Sequence, residues 1–250
     1  MLSYTDDAVD YPGMHGTGFF VDLDGRLFLL TARHCLGKLG EDLSGVAGRL
    51  LIPAAPVVEG QPAARPSYVP FESVGRAVVT DRLDEFVGHE EGDLDVVALT
   101  VGSASLAVTK EVRARSVRLP PDGGWFEKAL ARFADDGKEP VFRLRGFPKQ
   151  GTSTEFDYDA RRIVVQGATL LGRHTGIGPY PHTHRLRVFD EAPVADSDGM
   201  SGGPVYMRVS GADEERFALV GMVLGGKFSD VFFATVPWLT AAGRSSLAKP

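Results

Sequence analysis

Glycine and proline interrupt this chain so often that most of its apolar runs are short. Its 250 residues include 30 glycines and 16 prolines. The clearest pair of runs is GTGFFVD (16–22) and RLFLLTA (26–32), separated by Leu23-Asp24-Gly25. Asp-Gly between two apolar runs is a strong signal for a β-hairpin. Ten or more short strands with turn signals predict an all-β sandwich or barrel.

Helical patterns occur in only a few places. Apolar residues at Phe126, Leu130 and Phe133 lie on one face of a short helix predicted over 125–134, and a terminal helix is predicted to begin over 237–242. The proline-rich stretch 53–70 is predicted to be an irregular surface excursion. Further strands are predicted at 48–52, 75–79, 96–101, 141–146, 162–167, 185–189, 204–209, 217–224 and 231–235.

Charge and cysteine content narrow the classes of function. The net charge is −6 without a dominant basic stripe, which argues against nucleic acid as a partner. The sequence contains no run of eighteen apolar residues, so no membrane span is predicted. Its acidic start lacks the pattern of a signal peptide. The single cysteine, Cys35, cannot form an intramolecular disulfide, so a reducing, cytoplasmic compartment is expected.

The stretch DSDGMSGGPV (196–205) surrounds one serine, Ser201, with three glycines. A glycine-rich bend can direct the amides of Gly199 and Ser201 into one small space, where two N–H groups would stabilise an oxyanion. A serine in this setting is a candidate nucleophile that needs a nearby base. A plain glycine-rich turn is the alternative interpretation of the same letters.

A base and an acid are available earlier in the chain. His34 follows the strand RLFLLTA directly, although a histidine there could also simply cap the strand. Asp95 heads the apolar run of GDLDVVALTV (92–101), and a carboxylate beside a buried strand must find a partner. Asp93, on the same strand face, is the competing acid. Asp95 is preferred because apolar residues follow it immediately.

These blocks resemble, in the order His, Asp, Ser, their counterparts in the chymotrypsin/trypsin-like serine peptidases, and most closely the bacterial members without disulfides. RGFPKQG (145–151) is similar to the motif that opens the second barrel of that family, and LVGMVLGG (219–226) to the strand that pairs with the substrate backbone. The order also argues against an α/β-hydrolase, in which the serine precedes the acid and the histidine.

The resemblance implies two six-stranded antiparallel β-barrels with the active site in the cleft between them. His34 would be the base, Asp95 its orienting acid and Ser201 the nucleophile that attacks a protein or peptide substrate, with the oxyanion held by the amides of Gly199 and Ser201. No metal or cofactor is implied. The expected division is an extension (1–12), a first barrel (13–110), a connector with a short helix (111–140), a second barrel (141–240) and a tail (241–250).

The substrate pocket implied by the resemblance leaves two specificities open. Ala195 would lie at its floor and favour a small or apolar side chain, whereas Asp196 or Asp198 pointing inward would favour Arg or Lys. Gly225 and Gly226 would lie on the strand that pairs with substrate. Leu224 stands where many relatives have a serine that helps to hold the catalytic aspartate.

Other departures from the family concern control and a histidine cluster. Met200 replaces the aspartate that receives a new N-terminus in the digestive members, so a regulatory partner, a fused system or an oligomer is expected to control activity. A silent peptidase fold that only binds peptides is the alternative function. Cys35 is expected to be a small buried apolar residue. His174, His182 and His184 are predicted to lie on a mobile loop near the cleft rather than to form a metal site.

Overall fold

The computed structural model describes residues 16–37, 43, 45–54, 68–78, 93–119, 125–148, 155–157, 162–164, 167–178, 180, 182–189, 197–210 and 215–247. Its strands are β1 (Gly18–Leu23), β2 (Arg26–Thr31), β3 (Phe71–Val78), β4 (Asp93–Val101), β5 (Val117–Arg118), β6 (Val141–Gly146), β7 (Glu155–Asp157), β8 (Arg162–Val164), β9 (Ala168–Ile177), β10 (Thr183–Val188), β11 (Pro204–Ser210), β12 (Glu215–Lys227) and β13 (Asp230–Thr235). Its helices are α1 (Leu106–Arg115), α2 (Trp125–Asp135) and α3 (Val236–Leu247). The predicted fold class, mostly β with few short helices, is confirmed.

The first sheet is built around the hairpin predicted from Asp24-Gly25. Strands β1 and β2 pair antiparallel from Gly18↔Thr31 to Leu23↔Arg26, and both turn residues have positive φ, 52° at Asp24 and 83° at Gly25. This is the left-handed geometry that Asp-Gly tolerates in a two-residue turn. Over the described residues the sheet has five strands in the order β3-β4-β2-β1-β5, with the short β5 parallel to β1.

The second half closes into the six-stranded antiparallel barrel that was expected there, in the order β10-β13-β12-β11-β6-β9. Phe142 and Phe233 fill its interior, and Phe126 of α2 packs edge-on against both rings. The predicted helix over 125–134 is therefore confirmed. Its apolar face covers the end of the barrel core.

The terminal helix α3 follows the barrel in the chain but packs against the first sheet. Gly75 of β3 lies directly against the backbone of Ala242 and Ser246, so closely that an added Cβ would overlap both. Ser246 Oγ accepts a hydrogen bond from Thr100 Oγ1 at 2.9 Å. The helix thus attaches the second half of the chain to one face of the first sheet, in a cluster that also contains residues of β12.

Two local predictions were wrong. The stretch 48–52 is not a strand: residues 45–49 form a turn in which Arg49 N and Leu50 N both donate to Val46 O. Helix α1 was not predicted because it is only weakly amphipathic. Of its residues, only Val112 is buried. Of the predicted excursion at 53–70, residues 55–67 lie outside the described residues.

Candidate active site

Pairing of β2 with β4 brings the predicted base and acid together. The register Thr31↔Val97 places Asp95 beside the 3-10 turn Arg33–Cys35 that follows β2. His34 Nδ1 lies 2.6 Å from Asp95 Oδ2, and the His34 backbone N–H donates to Asp95 Oδ1 at 2.9 Å. One carboxylate therefore fixes both the ring and the backbone of His34. The side chain of the competing Asp93 lies outside the described residues.

The hydrogen bond that His34 Nδ1 donates to Asp95 changes the acidity of the imidazole. Together with a smaller contribution from Cys35, it raises the pKa of His34 well above the ordinary value of 6.5, against the opposing effect of partial burial. The ring remains accessible, with 45% of its side-chain surface exposed. With Nδ1 bound to the carboxylate, Nε2 is the nitrogen left to exchange a proton with another group.

The serine bend docks against the same strand end. Ser201 lies between Gly199 and Gly202, which have φ of 89° and 83°, values that glycine adopts readily. An added Cβ on Gly202 would lie 2.5 Å from Thr31 Oγ1 and 3.0 Å from Ala32 N. The Ser201 carbonyl accepts from Cys35 Sγ at 3.6 Å, so the neighbour of His34 touches the serine itself.

The amides of the bend divide into two groups. Those of Met200, Gly202 and Gly203 donate to backbone carbonyls within the protein. Among the described residues, no partner is recorded for the amides of Gly199 and Ser201. These are the two donors that the sequence indicated for an oxyanion.

Thr17 supports the bend and was missed by the sequence analysis. Its Oγ1 donates to Gly199 O at 2.7 Å and accepts from Phe147 N at 3.0 Å, and its backbone N–H donates to Ser201 O at 3.0 Å. One residue thus orients the Gly199 peptide and ties it to the loop after β6. The only signal in the sequence is a small polar residue between two glycines in GTGFF.

His34 and Ser201 are close neighbours in the fold without a direct bond. Over the described residues, no hydrogen bond joins His34 Nε2 to Ser201 Oγ. Gly225 faces the serine, since a Cβ added there would lie 3.9 Å from Ser201 Oγ. His34 and Asp95 are bonded to each other, and the residue next to His34, Cys35, contacts the Ser201 carbonyl.

The predicted substrate residues are only partly described. Ala195 and Asp196 lie outside the described residues. Leu224 is buried at an irregularity in the pairing of β12 with β13, and its side chain belongs to the apolar core. Past Met222, β12 no longer pairs with β11, while Gly225 and Gly226 still pair with β13. Gly226 O also accepts from Ser197 Oγ.

Met200 and Cys35 are both buried, with 1% and 4% of their surface exposed. Met200 packs in the barrel core, and its Sδ lies against Gly146. Cys35 forms no disulfide and lies in the core of the first sheet, which confirms the expectation of a small buried residue.

The histidine cluster lies on strands, and the prediction of a mobile loop was wrong. His174 is on β9 and His184 on β10, with His174 Nε2 3.0 Å from His184 Nδ1, while His182 is in the turn between them. Alternation directs the rings of the first two toward Phe142 and Phe126. Gly and Pro nearby obscured the strand pattern. No group of metal-binding side chains occurs among the described residues.

This histidine pair predicts a loss of stability in acid. Burial lowers the pKa of His184 to about 4, so the unfolded chain takes up the proton first as the pH falls below 6.5. Between pH 6.5 and 5 the free energy of unfolding should fall by about 2 kcal/mol from this residue. Urea unfolding of the wild type and of His184→Gln at both pH values measures this difference. An equal pH dependence in both proteins would contradict it.

Comparison with known proteins finds 64 chains of solved structure that resemble this one. The chain superposes on the crystal structure of a thermostable serine protease, AL20, from an extremophilic microorganism, with a TM-score of 0.47 and 13% identity. The match covers 93% of this chain and 97% of that chain. No family model matches the sequence, and no curated protein matches it. These comparisons therefore assign no role to the individual residues of the site.

None of the helices in the described ranges combines the length and apolar character needed to cross a membrane.

Proposed function

We propose that this protein is a serine endopeptidase in which His34, Asp95 and Ser201 act together. One observation carries the proposal. The strand end that holds His34 against Asp95 is also the surface on which the Ser201 bend docks, with the amides of Gly199 and Ser201 unpartnered among the described residues. Base, nucleophile and oxyanion donors are the parts that acyl transfer requires.

The proposed reaction has two steps, formation of an acyl-enzyme and its hydrolysis, and the same residues act in both. Ser201 Oγ attacks the peptide carbonyl carbon while its proton passes to His34 Nε2, and the carbonyl oxygen becomes an oxyanion near the two amides. The C–N bond then breaks, and His34 returns the proton to the leaving amine. Water repeats the sequence on the acyl-enzyme and releases the acid. Asp95 stays ionised and stabilises the imidazolium.

One feature of the structure supports a peptide substrate, and a second supports control of the activity by another molecule. The segment of β12 from Gly225 onward pairs with only one strand, β13, among the described strands. Apart from the bond of Ser197 Oγ to Gly226 O, its other edge can pair with an extended chain. The buried Met200 offers no charge to a cleaved N-terminus. We therefore expect a regulatory partner or an oligomer to control the activity. The single cysteine of the sequence is the reason to expect a cytoplasmic location.

A silent peptide-binding protein is the second candidate. The observation that favours it is the missing hydrogen bond between His34 Nε2 and Ser201 Oγ, together with the buried apolar Leu224 at the position where the resemblance implied a serine that holds the acid. The enzyme is nevertheless the better candidate, because bonds between nucleophile and base are often long before substrate binds. The free edge of β12 would serve either function.

Labelling with a fluorophosphonate separates the two candidates. In a reactive site Ser201 Oγ forms a bond to phosphorus, fluoride leaves and His34 accepts the proton. We expect one label per chain in the wild type at pH 8–9 and none in Ser201→Ala, by intact mass. Ser103→Ala, at an exposed serine after β4, should label like the wild type. A folded wild-type protein that takes no label across this pH range, neither alone nor in a cell lysate that supplies a regulatory partner, would exclude the endopeptidase.

A further inference from the structure

A cavity of about 460 Å³ lies along the seam between the two halves of the molecule. Its walls come from the start of β1, from β5, from the loop after β6 and from the starts of β9 and β11. The volume falls in the range of sites that hold small molecules. None of His34, Asp95 and Ser201 is among its described lining residues.

Two arginines give the cavity a positive charge in a protein whose net charge is −6. Arg115 and Arg145 are both among the lining residues, and none of the described residues that line it is acidic. A concave site with two guanidinium groups attracts an anion and can hold a carboxylate or phosphate through paired N–H donors. The charge therefore selects the class of ligand.

Both guanidinium groups keep donors to spare. Arg115 donates through Nη1 to the carbonyls of Pro53 and Ala54, at 2.9 and 2.8 Å, which holds it in place. Among the described residues, its Nε and Nη2 have no recorded hydrogen-bond partner, although its guanidinium lies over the Phe20 ring at 5.3 Å, and the Arg145 side chain has no recorded hydrogen bond. Burial raises the pKa of Tyr206, and the charge of Arg145 partly offsets that rise, which places the two groups near each other.

Four of the other lining residues are aromatic. Phe19, Phe147 and Tyr206 contribute to the walls, and the Phe147 ring lies against Gly167 at the rim. Aromatic walls favour a flat apolar group, which they contact edge-on or by stacking. Positive charge and aromatic surface together fit an aromatic ring that carries a carboxylate or phosphate group.

We propose that this seam cavity binds a small ring-bearing carboxylate or phosphate and thereby acts on the serine bend. The connection is Thr17, which lines the cavity and also bonds Gly199 O, Ser201 O and Phe147 N. A ligand that shifts Thr17 shifts the peptide that presents the oxyanion donors. This second part rests on the proposed function, whereas binding itself does not.

Calorimetry on the full chain tests the binding site. Phenyl phosphate and benzoate are titrated as separate probes, which distinguishes the phosphate from the carboxylate, and phenol serves as the neutral probe. We expect saturable heat with at least one anion and none with phenol. Arg145→Gln should weaken binding about tenfold or more. Arg173→Gln removes the same charge from an exposed position outside the lining and should leave binding unchanged.

Several results would overturn the site. These are no saturable heat with either anion, equal binding of phenol, and binding that Arg145→Gln and Arg173→Gln leave equally intact. If Arg145→Gln does not fold, by circular dichroism, Arg145→Lys replaces it and should still weaken binding, because the fork of donors is lost.

The effect on the serine is measured separately as the rate of fluorophosphonate labelling. We expect the bound anion to change the rate in the wild type and not in Arg145→Gln. An unchanged rate in wild-type protein saturated with the anion overturns the regulatory part. A protein that never labels contradicts the proposed function instead, and calorimetry still decides whether the site exists.

Discussion

Replacing His34 with alanine should lower kcat for peptide cleavage by about 10⁶-fold, a loss as large as removing the serine. His34 Nε2 is the only proton acceptor that the described site offers beside Ser201. Asp95→Asn should cost less, about 10⁴-fold, because the amide can still accept from the His34 backbone N–H but cannot stabilise the imidazolium. Single-turnover cleavage of a fluorogenic peptide measures both losses.

The double variant sharpens this comparison. If His34 and Asp95 act as one unit, the combined variant should be no slower than His34→Ala alone. Additive losses would show that Asp95 contributes by a route that does not pass through the ring. Equal, small losses in both single variants would contradict the proposed base.

The pH profile reports on the same pair. His34 must be neutral to accept a proton, and the hydrogen bond to Asp95 raises its pKa. The acid limb of kcat/KM should therefore lie above pH 6.5 in the wild type and move to lower pH in the residual activity of Asp95→Asn. A limb that does not move would mean that another group controls it.

Gly202→Ala should strongly destabilise the protein. The residue has φ of 83°, and an added Cβ would overlap Thr17 O and crowd Thr31 Oγ1. The positive φ costs about 1–2 kcal/mol and overpacking about 1–3 more. The free energy of unfolding should fall by about 2–5 kcal/mol, and Tm by roughly 5–15 °C. Thermal and urea unfolding measure the change.

Gly25→Ala is the matched control for that substitution. Gly25 has the same φ of 83°, but no atom lies within 4 Å of an added Cβ. Only the backbone cost remains, about 1–2 kcal/mol. If both substitutions lower stability equally, the close docking of the serine bend on β1 and β2 contributes nothing.

Features that depend on neighbouring residues could be predicted from the sequence. The hairpin follows from Asp24-Gly25 between two apolar runs, and α2 follows from the spacing of Phe126, Leu130 and Phe133. The pairing of His34 with Asp95 was also expected, because a carboxylate at the head of a buried strand needs a partner. In each case a local pattern carries the physical reason.

Features that depend on distant contacts could not be predicted in this way. Thr17 orients the serine bend through partners 182 and 130 residues away, and its own sequence context is a plain strand. His174 and His184 alternate into the barrel only because β9 and β10 pair. The cavity likewise exists only where strands of both halves meet.

The path of α3 has a consequence for how the molecule unfolds. The helix emerges from β13 of the barrel, yet Leu239 and Ala242 complete an apolar cluster that includes Val21, Phe28 and Ala98 of the first sheet. Unfolding of either half therefore exposes apolar residues of the other half to water. We expect a single cooperative heat-absorption peak, and fragments cut between the halves should be insoluble when expressed separately.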